Sequence, residues 1–150
     1  TSRLDALVSL WQNAGFNANG FADINQLIWE KFICNVFLSE PCTVFDCPIG
    51  GILDTEEYRE IALGCMREAY HAGLAKKVHF SFDNPDHYAL AFASSMPEAS
   101  PSMRLDHLAR RRSEIDAING MVPVVSRAAG LSAPYNQTLT ALVKKAEAEF

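Results

Sequence analysis

Apolar residues recur at helical spacing along most of this chain. Leu4, Leu7, Val8 and Trp11 form one i, i+3, i+4, i+7 stripe, with Ser2 placed to cap the helix and Gly15 to end it. Asp23 is placed to cap a second segment running from about Ile24 to Leu38. Leu27, Ile28, Phe32, Ile33, Val36 and Phe37 make that segment apolar nearly all round, which predicts a central, buried helix. Pro41, Pro48, Gly50 and Gly51 interrupt the pattern. A third long helix is predicted from about Thr55 to Ala72, with Glu56 and Glu57 in its first turn and Gly73 as its stop. Val78 to Phe82 alternates like a strand, but it is short and isolated and reads as a loop. Pro85 opens a helix through about Ser95, and residues 97–102 are a loop. A further helix is predicted from about Leu105 to Ala129, kinked or split by Pro123 and ended by Gly130. Pro134 starts the last one. The expectation is a single-domain, all-α bundle of about six helices.

Length and charge narrow the classes. A chain of 150 residues suits one domain with its own core. Net charge −5 and a pI near 5.3 argue against a nucleic-acid binder, which normally carries a basic face. No apolar run is long enough to span a membrane, and no signal-peptide pattern opens the chain. Cys34, Cys42, Cys47 and Cys65 form no C-x-x-C pair and no zinc-ligand spacing, so they read as reduced, buried thiols of a cytoplasmic protein with no metal. The chain opens on Thr1 rather than Met and has no G-x-G, so no dinucleotide-binding turn lies within it.

Two stretches carry candidate chemistry. In Trp29-Glu30-Lys31-Phe32-Ile33-Cys34-Asn35, Lys31 and Asn35 lie four apart, on one face of an otherwise apolar helix. A buried ammonium requires a partner, and so does a buried amide. The bland alternative is a snorkelling lysine beside a core asparagine. The second stretch runs from Pro101-Ser102-Met103-Arg104-Leu105-Asp106 through Arg110-Arg111-Arg112-Ser113-Glu114 to Ile118-Asn119-Gly120. A basic triplet beside acids usually forms a solvated helix face. Glu114, however, is a carboxylate that would keep Lys31 charged, and a charged lysine can protonate a carbonyl oxygen.

Together these pieces resemble the ketopantoate reductases. Trp29, Lys31 and Asn35 reproduce the family's W-x-K-x-x-x-N helix, and Cys47-Pro48-Ile49-Gly50 resembles the loop that follows. Met66-Arg67-Glu68 with Ala72-Gly73 resembles the next helix. Ser102 to Asp106 and Arg111 to Gly120 match the S-M-x-x-D and R-x-x-E-I-D-x-I-N-G segments, and Gly130-Leu131, Pro134 and Asn136 resemble the final turn. Ser94-Ser95-Met96 imitates the serine loop but stands eight residues too far from Glu114, leaving Ser102 in that role.

The resemblance implies a helical C-terminal domain of the 6-phosphogluconate dehydrogenase C-terminal type. Its partner is a Rossmann domain absent from this chain, without which the chain would be inactive. The implied reaction is NADPH-dependent reduction of 2-dehydropantoate to pantoate, on the route to pantothenate and coenzyme A. It implies Lys31 as general acid, Asn35, Ser39 and Ser102 as substrate-binding residues, and Glu114 beside Lys31 and the nicotinamide ribose. The Lys31 face, left uncovered by the absent domain, is expected to promote homodimer contacts. The family often carries asparagines where this chain has Ser39 and Ile49, which leaves the particular 2-oxo acid open. The competing readings are a paralogous reductase, a non-catalytic helical dimerisation module, and a DNA-binding module using Arg110 to Arg112.

Overall fold

The computed structural model describes residues 2–21 and 23–150. Eight helices and no strand occur among them: α1 (Ser2–Asn13), α2 (Ile24–Val44), α3 (Ile49–Asp54), α4 (Glu56–Ala75), α5 (Pro85–Ser94), α6 (Ser102–Leu108), α7 (Met121–Ala128) and α8 (Pro134–Glu147). The all-α expectation therefore holds, with eight elements in place of six.

Helix α2 is the central pillar, as its all-round apolar character predicts. The Asp23 carboxylate accepts from the Asn25 amide and caps it. Ile33, Val36 and Phe37 are fully buried, and α3 to α8 pack around α2 and α4. Ile52, Ala62, Cys65, Met66 and Ala69 supply the facing side of the core.

Three boundaries depart from the sequence reading. First, α2 continues past Leu38 to Val44 with Pro41 inside it. Proline there forfeits one helical hydrogen bond, at roughly 3 kcal/mol, but Pro41 and Cys42 are fully buried and that burial offsets the loss. Second, Gly73 lies within α4 rather than ending it. A methyl group at this position would stand 2.7 Å from the Phe80 ring and 3.0 Å from the Trp29 ring. The glycine is a packing choice that lets the Phe80 loop close over α4. Third, the helix expected over residues 105–129 is two short helices separated by turns over residues 109–120. Arg110 adopts φ +52°, which no α-helix admits, and Pro123 sits in the first turn of α7, where it neither kinks nor splits a helix. The unforeseen α3 begins directly after Pro48.

Long-range polar ties set the helices against one another. Arg67 on α4 makes a bidentate ion pair with Asp86 on α5. Glu68, one position on, accepts from the Tyr135 and Asn136 amides and so caps α8 from another helix. The Asn136 side chain donates to Glu68 and to the Cys65 carbonyl.

Candidate active site

Lys31, Asn35 and Ser39 recur every fourth residue along α2 and therefore share one face. Lys31 is exposed, Asn35 half-buried and Ser39 buried, so the face descends from solvent into the core. At its inner end is a cleft of about 140 Å³, lined in part by Asn35, Ser39, Ile49, Phe92, Met96 and Pro101. Ser102, the first residue of α6, follows directly from this wall and is exposed.

The wall opposite α2 is built by the first turn of α3 and the loop before α6, which hold each other. The Ile49 amide donates to the Ala99 carbonyl at 3.0 Å and the Gly50 amide to the Pro97 carbonyl at 2.8 Å. A side chain on Gly50 would begin 3.3 Å from that same Pro97 oxygen, so the close approach favours glycine. Arg104 secures the outer edge, donating to Asp46 and to the Ser100 hydroxyl. The Cys-Pro-Ile-Gly stretch thus contributes Ile49 to the cleft wall. Ser39 and Ile49, the two positions at which the resemblance leads one to expect asparagine, both line the cleft.

Glu30, between Trp29 and Lys31, is buried. Its carboxylate accepts from the Gln26 side chain and, at 2.7 Å, from the Ser81 amide. It pins the loop after α4 to α2 and has no part in the cleft. Sequence reasoning passed over it, because only its distant partner Ser81 reveals the role. Burial, reinforced by the Glu30 charge, pushes the Cys34 thiol up to about 12. Cys42 rises equally through burial, so neither is a nucleophile near neutral pH.

Glu114 occupies the turn region between α6 and α7 and is exposed. Among the described residues, neither Lys31 nor Glu114 forms an ion pair, with the other or with any further group. The basic triplet beside Glu114 is largely spent on internal ties. Arg111 binds Asp106, while Arg110 donates to the Glu149 carbonyl and lies over the Phe150 ring. In the rival stretch Ser94-Ser95-Met96, Ser95 donates its hydroxyl to the Phe92 carbonyl at the end of α5. Among the described residues no cluster of three or more His, Cys, Asp or Glu side chains has metal-binding geometry, and no helix is long and apolar enough to cross a membrane.

Residues 23–147 match the family model described as "Ketopantoate reductase PanE/ApbA C terminal". The chain belongs to the ketopantoate reductase family. A 2-dehydropantoate 2-reductase of Streptococcus pyogenes is 27% identical over 143 residues, which are 95% of this chain and 47% of that protein. The solved PanE/ApbA family ketopantoate reductase of Ralstonia eutropha superposes with a TM-score of 0.90 at 26% identity, over 99% of this chain and 50% of that one. A D-mandelate dehydrogenase solved with NADH shares the fold, at TM-score 0.84 and 23% identity over 98% of this chain and 50% of its own. The chain spans about half the length of the curated ketopantoate reductases it matches.

Proposed function

We propose that this chain is the substrate-binding half of a 2-dehydropantoate 2-reductase, acting with an NADPH-binding Rossmann domain outside these residues. The observation that carries the proposal is the α2 face, where an exposed ammonium, a half-buried amide and a buried hydroxyl succeed one another, the last two lining a small cleft. That sequence of groups suits a 2-oxo acid, whose reactive carbonyl stays at the mouth while its carbon skeleton enters.

When bound, the nicotinamide supplies hydride to the keto carbon. Negative charge then develops on the carbonyl oxygen, and the Lys31 ammonium donates its proton there. Asn35 orients the substrate by hydrogen bonding, and Ser102 binds at the carboxylate side from the opposite wall. Glu114 is exposed and, among the described residues, forms no ion pair, which suits it to accept from a ribose hydroxyl. These residues lack a glycine-rich phosphate turn, so the grip on the rest of the dinucleotide lies elsewhere, and this half alone should not turn over.

A second reading is favoured by Ser39 and Ile49. With Phe92 and Met96 they make the cleft less able to hydrogen-bond a substrate hydroxyl, which suits a 2-oxo acid with an apolar side chain. Steady-state turnover of the full-length protein with NADPH tests both. Preference for 2-dehydropantoate over apolar 2-oxo acids of similar size supports the first, the reverse order supports the second, and no reduction of any 2-oxo acid overturns both.

A further inference from the structure

The turn that carries Glu114 is held by one face of the last helix. Val143 and Glu147 are four apart on α8 and project together. Oε1 of Glu147 accepts three hydrogen bonds: from the Ser113 amide at 2.8 Å, the Ser113 hydroxyl at 2.6 Å and His107 Nε2 at 3.1 Å. Val143 packs against Ile115, with Met103 completing the cluster. Lys144 makes an ion pair with Asp116. Helix α8 therefore grips residues 113, 115 and 116, while Glu114 between them is left exposed.

Glu147 is otherwise hard to explain. It is 7% exposed at the end of a helix, where a negative charge opposes the helix dipole. It is nonetheless held ionised: burial alone would raise its pKa, but the bonds from Ser113 and the contact with His107 outweigh burial and hold it below the usual carboxylate range. A buried carboxylate that accepts from both the amide and the hydroxyl of Ser113, with His107 alongside, is a fixing point for that backbone.

We propose that Glu147 is a positioning residue for Glu114: it fixes the Ser113 backbone and hydroxyl so that the next side chain projects in one direction. The inference rests on the role proposed above for Glu114, since Glu147 itself lines no part of the cleft. A misplaced catalytic-site group can lower turnover by up to about 10²-fold without any lost contact to substrate.

The test is a double-mutant cycle in the full-length protein, with 2-dehydropantoate and NADPH as probes. Glu147→Ala, Glu114→Ala and the double variant are compared for kcat/KM, with thermal unfolding followed in parallel. The expected result is a fall of about 10-fold or more for Glu147→Ala that disappears in the Glu114→Ala background, as coupled residues require. An equal fall in both backgrounds, or none, overturns the inference while leaving the role of Glu114 intact. A Glu114→Ala enzyme as active as the parent overturns both. Should Glu147→Ala fail to fold, Ser113→Ala removes the 2.6 Å hydroxyl contact alone and enters the same cycle, read in the same way.

Discussion

The Asn119 side-chain amide lies 2.9 Å from Oδ1 of Asn136 and also donates to the Val36 carbonyl at 3.0 Å. Both asparagines are fully buried. With the Asn136 bonds to Cys65 and Glu68, this network ties the turn before α7 to α2, α4 and α8. Replacing Asn136 with alanine removes the side-chain bonds to the Cys65 carbonyl and to Glu68 and leaves one N–H of the buried Asn119 amide without its partner. A loss on the order of 3 kcal/mol is expected, read as a lower denaturant midpoint with unchanged slope.

Glu40 gives stability an unusual pH dependence. It is fully buried, and neither carboxyl oxygen has a hydrogen-bond partner, the Thr140 hydroxyl lying near but outside bonding geometry. Burial pushes its pKa up to about 8, with the Glu68 charge adding to the shift and Thr140 opposing it. The folded state therefore holds a proton that the unfolded chain releases near its ordinary value of 4.5. This contribution is fully present below about 4.5, is lost as pH rises to about 8, and is level beyond that. Glu40→Gln should flatten that part of the stability–pH curve, and Glu40→Met should raise stability at pH ~8 by about 1–3 kcal/mol. Denaturant titrations of the three proteins across this range check both.

Gly73→Ala should destabilise, although alanine is the better helix former by about 1 kcal/mol. The new methyl would overlap the Phe80 and Trp29 rings, and Phe80 packs in turn against Tyr70 and Phe82. A net loss of about 1–3 kcal/mol is expected, seen as a lower thermal midpoint. A raised midpoint would show that the aromatic loop yields easily.

Local chemistry accounts for what the sequence revealed. The Asp23 cap, the Pro85 start and the loop over residues 78–82 depend on neighbours within a turn, and each is found where it was expected. Pro41 and Gly73 misled because their local tendencies are overruled by tertiary partners: core burial for the proline, the Phe80 and Trp29 rings for the glycine. Residues 109–120 looked helical because Leu108, Ile115 and Ile118 keep nearly helical spacing, yet Ser113 answers to Glu147, 34 residues away. In the candidate site, the spacing of Lys31, Asn35 and Ser39 was legible because α2 is regular there. That Ser39 and Ile49 face one cleft depends on the Gly50–Pro97 contact, which no periodicity encodes.

Substrate preference should follow the polarity of that cleft. Ser39→Asn combined with Ile49→Asn in the full-length enzyme restores amides at both positions. It should shift the ratio of kcat/KM values toward 2-dehydropantoate and away from an apolar 2-oxo acid by about 10-fold or more. Competition assays with paired substrates measure this ratio, and an unchanged ratio would remove Ser39 and Ile49 from the specificity-determining set.

The most direct measurement is the turnover of full-length Lys31→Ala against the parent, with NADPH and the preferred 2-oxo acid. If Lys31 protonates the carbonyl oxygen, kcat should fall by about 10²–10⁴-fold while thermal stability stays near that of the parent, since the side chain is exposed. A Lys31→Ala enzyme that keeps parental kcat and parental stability would contradict a general-acid role and leave the α2 face as a surface lysine above a core asparagine.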